Sequence, residues 1–301
     1  MRLGISGGTG FVGSHLIDVA LAAGHEVRAL TRREQPQRDG LEWISGSLDD
    51  RAALQQLVTN ADAILHVAGV ISAPDAAAFN KGNVEGTLAM LAAATAGGVH
   101  RFIHVSSLAA REPKLSLYGA SKARAEELVR SSGLEWSIVR PPAVYGPGDK
   151  ETLELFRMAK LGLMLMPPHG HVSMIHADDL ARLLLALTGP TAPSGILIEA
   201  DDGKAHGWTH RQLARELGRA VGTKPAIVSA PGVFLKLAAR ADQLVRGPRA
   251  KLTVDRAAYF SHRNWVVDPK LGPPPDLWQP AIVTEHGLKE TADWYRDKGW
   301  L

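Results

Sequence analysis

The sequence contains no cysteine among its 301 residues. This absence excludes disulfides, thiolate metal sites and cysteine nucleophiles, and it agrees with a cytoplasmic location, where thiols stay reduced. Long apolar runs are also missing, because Gly, Pro or a charged residue interrupts each of them well before the length of a membrane span, about 18 residues. The net charge is only +3, and the basic residues are scattered. We therefore expect neither a membrane nor a nucleic acid as a partner.

The hydrophobic fraction of 45% supports a sizeable core, and apolar strands alternate with helices through the first half of the chain. Right-handed crossovers place helices on both faces of a parallel sheet, so this alternation predicts a doubly wound, Rossmann-like α/β fold. We predict a dinucleotide-binding domain at residues 1–145, with residues 171–190 returning to it. Residues 146–301 then form mainly a smaller α/β substrate-binding lobe over the carboxyl edge of the sheet.

Four segments of the second half carry specific expectations. Residues 161–170 predict a loop, whose Met and Leu side chains either line an apolar substrate pocket or belong to the core. Residues 208–220 and 232–246 have the pattern of helices. The stretch 268–280 holds five prolines and is expected to be extended or looped.

A glycine-rich turn separates a predicted strand over residues 3–6 from a predicted helix over 15–23. Gly7, Gly10 and Gly13 recur there at three-residue spacing. Gly7 permits the tight turn, Gly10 leaves room for a pyrophosphate beside the backbone, and Gly13 lets the helix pack close to the strand. The helix amino terminus adds unpaired N–H groups and a positive dipole end. The pattern predicts a dinucleotide site; the alternative is a glycine turn without a ligand.

A second constellation combines Tyr118 and Lys122, which are four residues apart and share one face of a predicted helix. An ammonium near a phenol lowers the phenol pKa, which suits a group that exchanges a proton with a substrate oxygen. Ser106 and Ser107 follow the predicted strand Arg101–Val105, where a hydroxyl can hydrogen-bond the same oxygen. Together these residues predict hydride-transfer chemistry, in which a cofactor carries the hydride and the protein handles the proton.

Other motifs accompany the glycine turn and the set of Ser107, Tyr118 and Lys122. They are His-Val-Ala-Gly at 66–69, Asn-Val-Glu-Gly-Thr at 83–87, Arg-Pro-Pro-Ala-Val-Tyr-Gly-Pro at 140–147 and Ile-His-Ala-Asp-Asp-Leu-Ala at 175–181. In this combination the chain resembles the extended short-chain dehydrogenase/reductases, in the NAD-dependent epimerase/dehydratase group. The resemblance spans nearly the whole chain and is more specific for fold and cofactor class than for substrate.

The resemblance implies a role for each matched position. Tyr118 would be the acid/base, Lys122 would lower its pKa and hold the nicotinamide ribose, and Ser107 would bind the reacting oxygen. Ser106 would face the cofactor or the strand, and Asn83 would support the strand ends or a water near the site. Because many relatives dimerise, a homodimer is also implied. The residues expected to contact the cofactor are Gly7, Thr9, Gly10, Phe11, Val12, Arg32, Arg33, Leu48, Ala68, Gly69, Tyr118, Lys122, Pro141, Ala143 and Val144.

The chain departs from this family at the end of the second strand. NAD-preferring relatives carry an acidic residue there for the ribose diol, whereas this chain has Thr31, followed by Arg32 and Arg33. A carboxylate would repel a 2′-phosphate and guanidinium groups would pair with it. NADP(H) is therefore the favoured cofactor. The alternative is NAD(H), and Arg32 and Arg33 would then be solvated surface charges. Ser47 also replaces the acid that contacts adenine in the family.

Two features bear on the reaction. The loop from Ser107 to Tyr118 is short, and Ala143 stands where some sugar-nucleotide epimerases carry a substrate-facing Asn. Both favour an NADP(H)-dependent oxidoreductase that interconverts a carbonyl and a secondary alcohol on a small, partly apolar molecule, resembling dihydroflavonol reductases and hydroxysteroid dehydrogenases. The alternatives are a sugar-nucleotide epimerase or dehydratase with tightly bound NAD, and a non-catalytic NADP(H)-binding sensor or assembly subunit. His169 and His171 lack the spacing of a closed metal site, and we expect no metal.

Overall fold

Seven parallel strands form the central sheet of the computed structural model, which describes residues 1–167, 169–229 and 262–301. From one edge to the other they are Ile196–Ile198 (β11), Glu135–Val139 (β6), Arg101–Val105 (β5), Ala63–His66 (β4), Arg2–Ser6 (β1), Glu26–Thr31 (β2) and Leu41–Ser45 (β3). This order confirms the predicted doubly wound fold. From β1 the strand order proceeds toward one edge through β2 and β3, and from β4 it proceeds toward the other edge. In such folds ligands bind beyond the carboxyl ends of the strands at this switch point between β1 and β4.

Helices cover both faces of the sheet. The α-helices described are Phe11–Ala22 (α1), Arg51–Val58 (α2), Ala76–Phe79 (α3), Gly86–Ala96 (α4), Leu117–Arg130 (α5), Leu153–Lys160 (α6), Ala177–Ala186 (α7), His210–Val221 (α8) and Thr284–Asp297 (α9). Helices α1 and α7 share one core with inward-facing residues of the sheet, and α2, α4 and α5 share the core on the opposite face. Side chains alternate along each strand, so Ile103 enters the first core while Phe102 enters the second.

Most differences from the sequence prediction lie at element ends and short strands. Helix α1 begins at Phe11, directly after Gly10 at the N-cap position, and so before the expected start at residue 15. The edge strand β3 was not predicted. Residues 208–220 are not one helix: Trp208–Thr209 (β12) pairs with His171–Val172 (β9), and α8 begins after it. Thr209 ends the strand and caps the helix through a reciprocal capping box with Gln212.

The second lobe has its own core, built by α6, α8 and α9. Residues 161–170 are not simply a loop, because Leu163–Met166 (β8) pairs in parallel with Ala226–Ser229 (β13). Alternation along β8 divides the apolar cluster: Met164 and Met166 enter the core, while Leu163 and Leu165 are exposed. The predicted helix 232–246 lies outside the described residues.

Short strands and loops join the two lobes. Ala143–Tyr145 (β7) pairs with Met174–His176 (β10), which leads directly into α7 on the central sheet. Asn264–Trp265 (β14) pairs with β9. The proline-rich stretch contains a 3-10 turn, Pro269–Leu271, and is otherwise without helix or strand. It is anchored where the Trp278 indole N–H donates to the Asp179 carbonyl at 3.0 Å.

No helix in the described parts of the chain combines the length and apolarity needed to cross a bilayer.

Candidate active site

The glycine turn packs tightly at two of its three glycines. Gly7 has a φ of +80°, and a Cβ there would lie 2.6 Å from the Ala68 backbone nitrogen. At Gly13 a Cβ would lie 2.1 Å from the Gly7 carbonyl oxygen. Both positions therefore need glycine for the fold itself. Gly10 differs, because a Cβ there would meet only the Gly7 oxygen, at 3.2 Å, and the residue is exposed.

The amino terminus of α1 is open to an anion. Gly10 occupies the N-cap position without a side-chain cap, and the first turn contains no acidic residue. Thr9 is exposed beside it, and Phe11 and Val12 are half-buried. Uncapped N–H groups and the positive end of the helix dipole attract phosphate oxygens. The turn therefore fits the pyrophosphate of a dinucleotide.

The end of β2 presents cationic side chains to solvent. Thr31 is buried, and its hydroxyl donates to the Arg33 carbonyl at 2.6 Å, which shapes the turn. The Arg32 and Arg33 side chains are exposed, and among the described residues neither has an acidic partner. Beyond β3, the Asp49 N–H donates to the Ser47 hydroxyl at 3.3 Å.

The loop after β4 lies next to the glycine turn and is held by Asn83. The Val70 N–H donates to Asn83 Oδ1 at 2.6 Å, and Asn83 Nδ2 donates to the Val70 carbonyl at 2.9 Å and to the Ser121 hydroxyl at 2.8 Å. Asn83 lies in a π-helical turn, Asn80–Glu85, between α3 and α4. The amide thereby joins the β4 loop to helix α5.

Two further predicted contact positions belong to this part of the site. A Cβ at Gly69 would lie 3.6 Å from Lys122 Nζ, so the loop after β4 borders the predicted acid/base helix. Leu48 packs on helix α4, since a Cβ at Gly86 would lie 2.6 Å from Leu48 Cδ1.

Ser107, Tyr118 and Lys122 come together at the carboxyl end of β5. Ser107 caps the 3-10 turn Leu108–Arg111, and its Oγ accepts the Ala109 N–H at 3.2 Å. Its own hydroxyl hydrogen is then free to hydrogen-bond the Tyr118 phenol. Ser116 caps α5 and so places Tyr118 and Lys122 on consecutive turns of that helix. The predicted set is thus one cluster in space.

Burial shifts the pKa values of two groups in the cluster. Burial raises the pKa of the Tyr118 phenol, and the hydrogen bond from Ser107 offsets only part of this effect. Burial also lowers the pKa of Lys122 to about 8, against the opposing charge of Glu126. The Lys122 ammonium donates to the Val105 carbonyl at 2.7 Å. The two causes that set the direction of the Tyr118 shift are thus burial and the Ser107 hydroxyl, and the lowering of the phenol pKa by Lys122 stays a prediction.

The segment after β6 completes the rim of the site. Pro141 is buried, and its carbonyl accepts the Leu108 N–H at 3.0 Å, which brings this segment next to Ser107. Ala143 and Val144 follow in β7 and are half-buried. Of the three positions, Pro141 thus contacts the Ser107 turn, and their contacts to the nicotinamide end of the cofactor stay a prediction.

Ser106 joins strand β6 to helix α5, because its backbone N–H donates to the Val139 carbonyl at 2.7 Å. Its buried hydroxyl donates to Glu126 Oε1 at 2.6 Å. Glu126 is held in turn by Arg140, through two hydrogen bonds of 2.8 and 2.7 Å. Sequence reasoning missed these charged residues, although Glu126 lies one helical turn beyond Lys122 and Arg140 directly precedes Pro141.

His169 and His171, the two histidines considered for a metal site, are exposed. Asp178, which follows them in sequence, hydrogen-bonds His15 at 2.5 Å. Across residues 1–167, 169–229 and 262–301, no group of three or more His, Cys, Asp or Glu is placed to hold a metal ion. His104 is fully buried and stacks on the His66 ring at 5.4 Å, a packing role.

Comparison with known proteins identifies related sequences and folds. A model of the NAD dependent epimerase/dehydratase family matches residues 4–194. A ceramide reductase from Caulobacter vibrioides is 37% identical over 307 residues, covering 99% of this chain and 95% of that protein. A 4-hydroxy-2-methyl-3-oxo-4-farnesyl-3,4-dihydroquinoline-1-oxide ketoreductase from Stigmatella aurantiaca is 34% identical over 173 residues, covering 50% of this chain and 52% of that protein.

Among solved structures, a UDP-glucose 4-epimerase from Thermotoga maritima, determined with UDP-glucose, superimposes with a TM-score of 0.73. It is 21% identical, and the alignment covers 99% of both chains. At this identity the match demonstrates a shared fold.

Proposed function

Since the chain belongs to the NAD dependent epimerase/dehydratase family and is an NAD(P)-dependent oxidoreductase-type enzyme, we propose that it reduces a ketone on a lipid-like molecule with NADPH. One observation carries the proposal: the Tyr118 phenol, bonded by Ser107 and followed one helical turn later by Lys122, lies at the carboxyl edge of the sheet. A catalyst needs an intact acid/base set beside the glycine turn, whereas a non-catalytic nucleotide-binding protein does not need one.

The residues of the cluster divide the chemistry in a simple way. When bound, the nicotinamide cofactor supplies the hydride. When the substrate binds, the Ser107 hydroxyl would turn its one hydrogen from the Tyr118 phenol to the carbonyl oxygen of the substrate, and Tyr118 would donate a proton to that oxygen as its negative charge develops. Because burial raises the pKa of Tyr118, the phenol stays protonated at neutral pH. This protonation state favours reduction, since the acid is ready before the substrate arrives.

The cofactor proposal depends on the end of β2. Arg32 and Arg33 are exposed and free of acidic neighbours among the described residues, and Thr31 occupies the position of the diol-binding acid. Guanidinium groups there would pair with the 2′-phosphate of NADPH. The uncapped amino terminus of α1 would bind the pyrophosphate, and Lys122 would hold the nicotinamide ribose.

The substrate proposal comes from the relatives. The protein that matches over nearly the full length of both chains is named a ceramide reductase, and the half-length match is a ketoreductase whose named substrate carries a farnesyl chain. We infer a ceramide-class lipid that bears a ketone in place of its secondary hydroxyl. The product is the secondary alcohol.

The decisive assay follows NADPH oxidation at 340 nm with a ketone-bearing ceramide in mixed micelles. Tyr118→Phe should abolish turnover and leave NADPH binding intact, because it removes the proton and keeps the ring. Tyr295→Phe is the matched control, since that tyrosine donates to the Asp149 carbonyl within the second lobe. Full turnover by Tyr118→Phe would refute the proposal. Tightly held NAD, with binding of a nucleotide sugar, would instead favour an epimerase.

A further inference from the structure

A chain of charged residues runs behind the Ser107 cluster. Glu126 and Glu199 are almost fully buried, and Arg140 lies between them, with two bonds to Glu126 and a 3.5 Å contact to Glu199. Arg111 contacts the other oxygen of Glu199 at 3.4 Å. We name Glu126, Arg140, Glu199 and Arg111 the charge chain. Buried carboxylates destabilise a fold unless they are paired and hydrogen-bonded. The arginines of the charge chain supply such partners to both Glu126 and Glu199.

Both ends of the charge chain return to the short segment that contains Ser107. At one end, Glu126 accepts the hydroxyl of Ser106, the residue before Ser107. At the other end, Arg111 is the last residue of the 3-10 turn that Ser107 begins. The segment 106–111 is therefore held on both sides of Ser107 by one connected set of ion pairs.

The charge chain also contacts the segment that leads to the second lobe. Arg111 donates to the Val266 carbonyl at 2.9 Å and to the Asn264 carbonyl at 3.0 Å. The Asp268 N–H donates to Glu199 at 2.9 Å. These contacts attach the loop at 264–268, which adjoins the second lobe through β14, to the turn that carries Ser107. Placement of that turn thus depends on the docking of both lobes.

We propose that the charge chain positions the Ser107 hydroxyl against the Tyr118 phenol, with Arg111 and Glu199 as positioning residues for the reduction. This inference rests on the proposed function for its catalytic meaning. None of the four charged groups is placed on a substrate; they act through the backbone on either side of Ser107. Loss of one link lets the 3-10 turn shift, and small displacements of a reacting group reduce rate steeply.

A measurement that needs no turnover tests the positioning directly. The chain has four tyrosines, so 13Cζ-tyrosine labelling gives a simple NMR spectrum in which Tyr118→Phe assigns the Tyr118 resonance. Ser107→Ala defines the shift that follows loss of the hydrogen bond to Tyr118. Arg111→Gln and Glu199→Gln should each move the resonance toward that position. A thermal unfolding transition shows whether each variant is folded. If both variants are folded and neither moves the Tyr118 resonance, the proposal is overturned.

Arg130→Gln is the matched control for this measurement. Arg130 contacts Glu126 at 3.2 Å from the outer, more exposed side, and it does not lie between Ser106 and Arg111. The same substitution there should leave the Tyr118 resonance in place.

Kinetics then separate positioning from general stability. Arg111→Gln should lower kcat about tenfold with KM little changed. In a Ser107→Ala background the same substitution should lower kcat less than about twofold, because the effects of residues that act through one another are not additive. A full tenfold loss in that background would contradict the proposal. Arg111→Lys, which keeps a charge beside Glu199, should recover part of kcat.

The two proposals fail in distinguishable ways. If the wild-type protein reduces no ketone but Arg111→Gln still moves the Tyr118 resonance, the proposed function fails and the positioning of Ser107 stands. If turnover depends on Tyr118 but neither variant moves that resonance, only the positioning proposal fails.

Discussion

Replacing Lys122 by methionine should stabilise the protein at neutral pH while abolishing its activity. The Lys122 side chain is almost fully buried, and burial lowers its pKa from 10.5 to about 8. At about 1.36 kcal/mol per pH unit, this shift means that the buried ammonium destabilises the folded state by about 3 kcal/mol at pH 7. Methionine removes the charge but leaves the Val105 carbonyl without its donor, which costs about 1–2 kcal/mol. The expected net gain is about 1–2 kcal/mol.

The gain should depend on pH in a defined direction. Below pH 8 the folded and unfolded chains both hold the Lys122 proton, so the full penalty applies to the wild type. Between pH 8 and 10.5 the unfolded chain still holds the proton while the folded chain has released it, so wild-type stability rises with pH. The advantage of Lys122→Met should therefore shrink by about 2 kcal/mol between pH 7 and about pH 9.5.

Urea unfolding of both proteins at these two pH values measures the difference, and other titrating groups cancel in the comparison. Lys114→Met, at an exposed position, is the control and should show no such pH dependence. If Lys122→Met destabilises the protein equally at both pH values, then burial does not penalise the ammonium and the electrostatic argument for the site is refuted.

Two further predictions concern the cofactor. Replacing Arg32 and Arg33 together by alanine should weaken NADPH binding at least about tenfold, through loss of charge-assisted bonds, and leave NADH binding unchanged in calorimetry; equal losses for both would contradict a 2′-phosphate site. Gly10→Ala should fold normally but bind NADPH poorly, since the added Cβ meets only the Gly7 oxygen at 3.2 Å and otherwise fills the open side of the turn. Gly13→Ala, whose Cβ would lie 2.1 Å from that same oxygen, should instead lower the unfolding temperature, and the reverse pattern would be inconsistent with this geometry.

Local sequence patterns predicted much of the fold. The strand Arg101–Val105 has the predicted bounds. It could be predicted because an apolar run between two turn signals is a local pattern, visible in a few consecutive residues. The weakest predictions fell on short strands such as β3 and β8. Each pairs along only one edge, and its pairing partner, rather than its own sequence, makes it a strand.

The motifs by themselves determined the family, which the comparisons confirm, and the sequence spacing of Ser107, Tyr118 and Lys122. Helical periodicity fixes the distance between residues four apart, so the tyrosine and lysine could be paired without a structure. The glycine spacing similarly predicted the turn before α1, because the backbone geometry there excludes side chains at Gly7 and Gly13.

Only the tertiary structure decided the electrostatics of the site. The pKa of Tyr118 is raised because burial outweighs the hydrogen bond from Ser107, and burial is a sum over packing from distant segments. The charge chain likewise joins Arg111 to Glu199 across 88 residues of sequence. No local pattern encodes such a pairing, since Coulomb interactions and desolvation depend on distances in space, which exist only after both lobes have folded around Ser107.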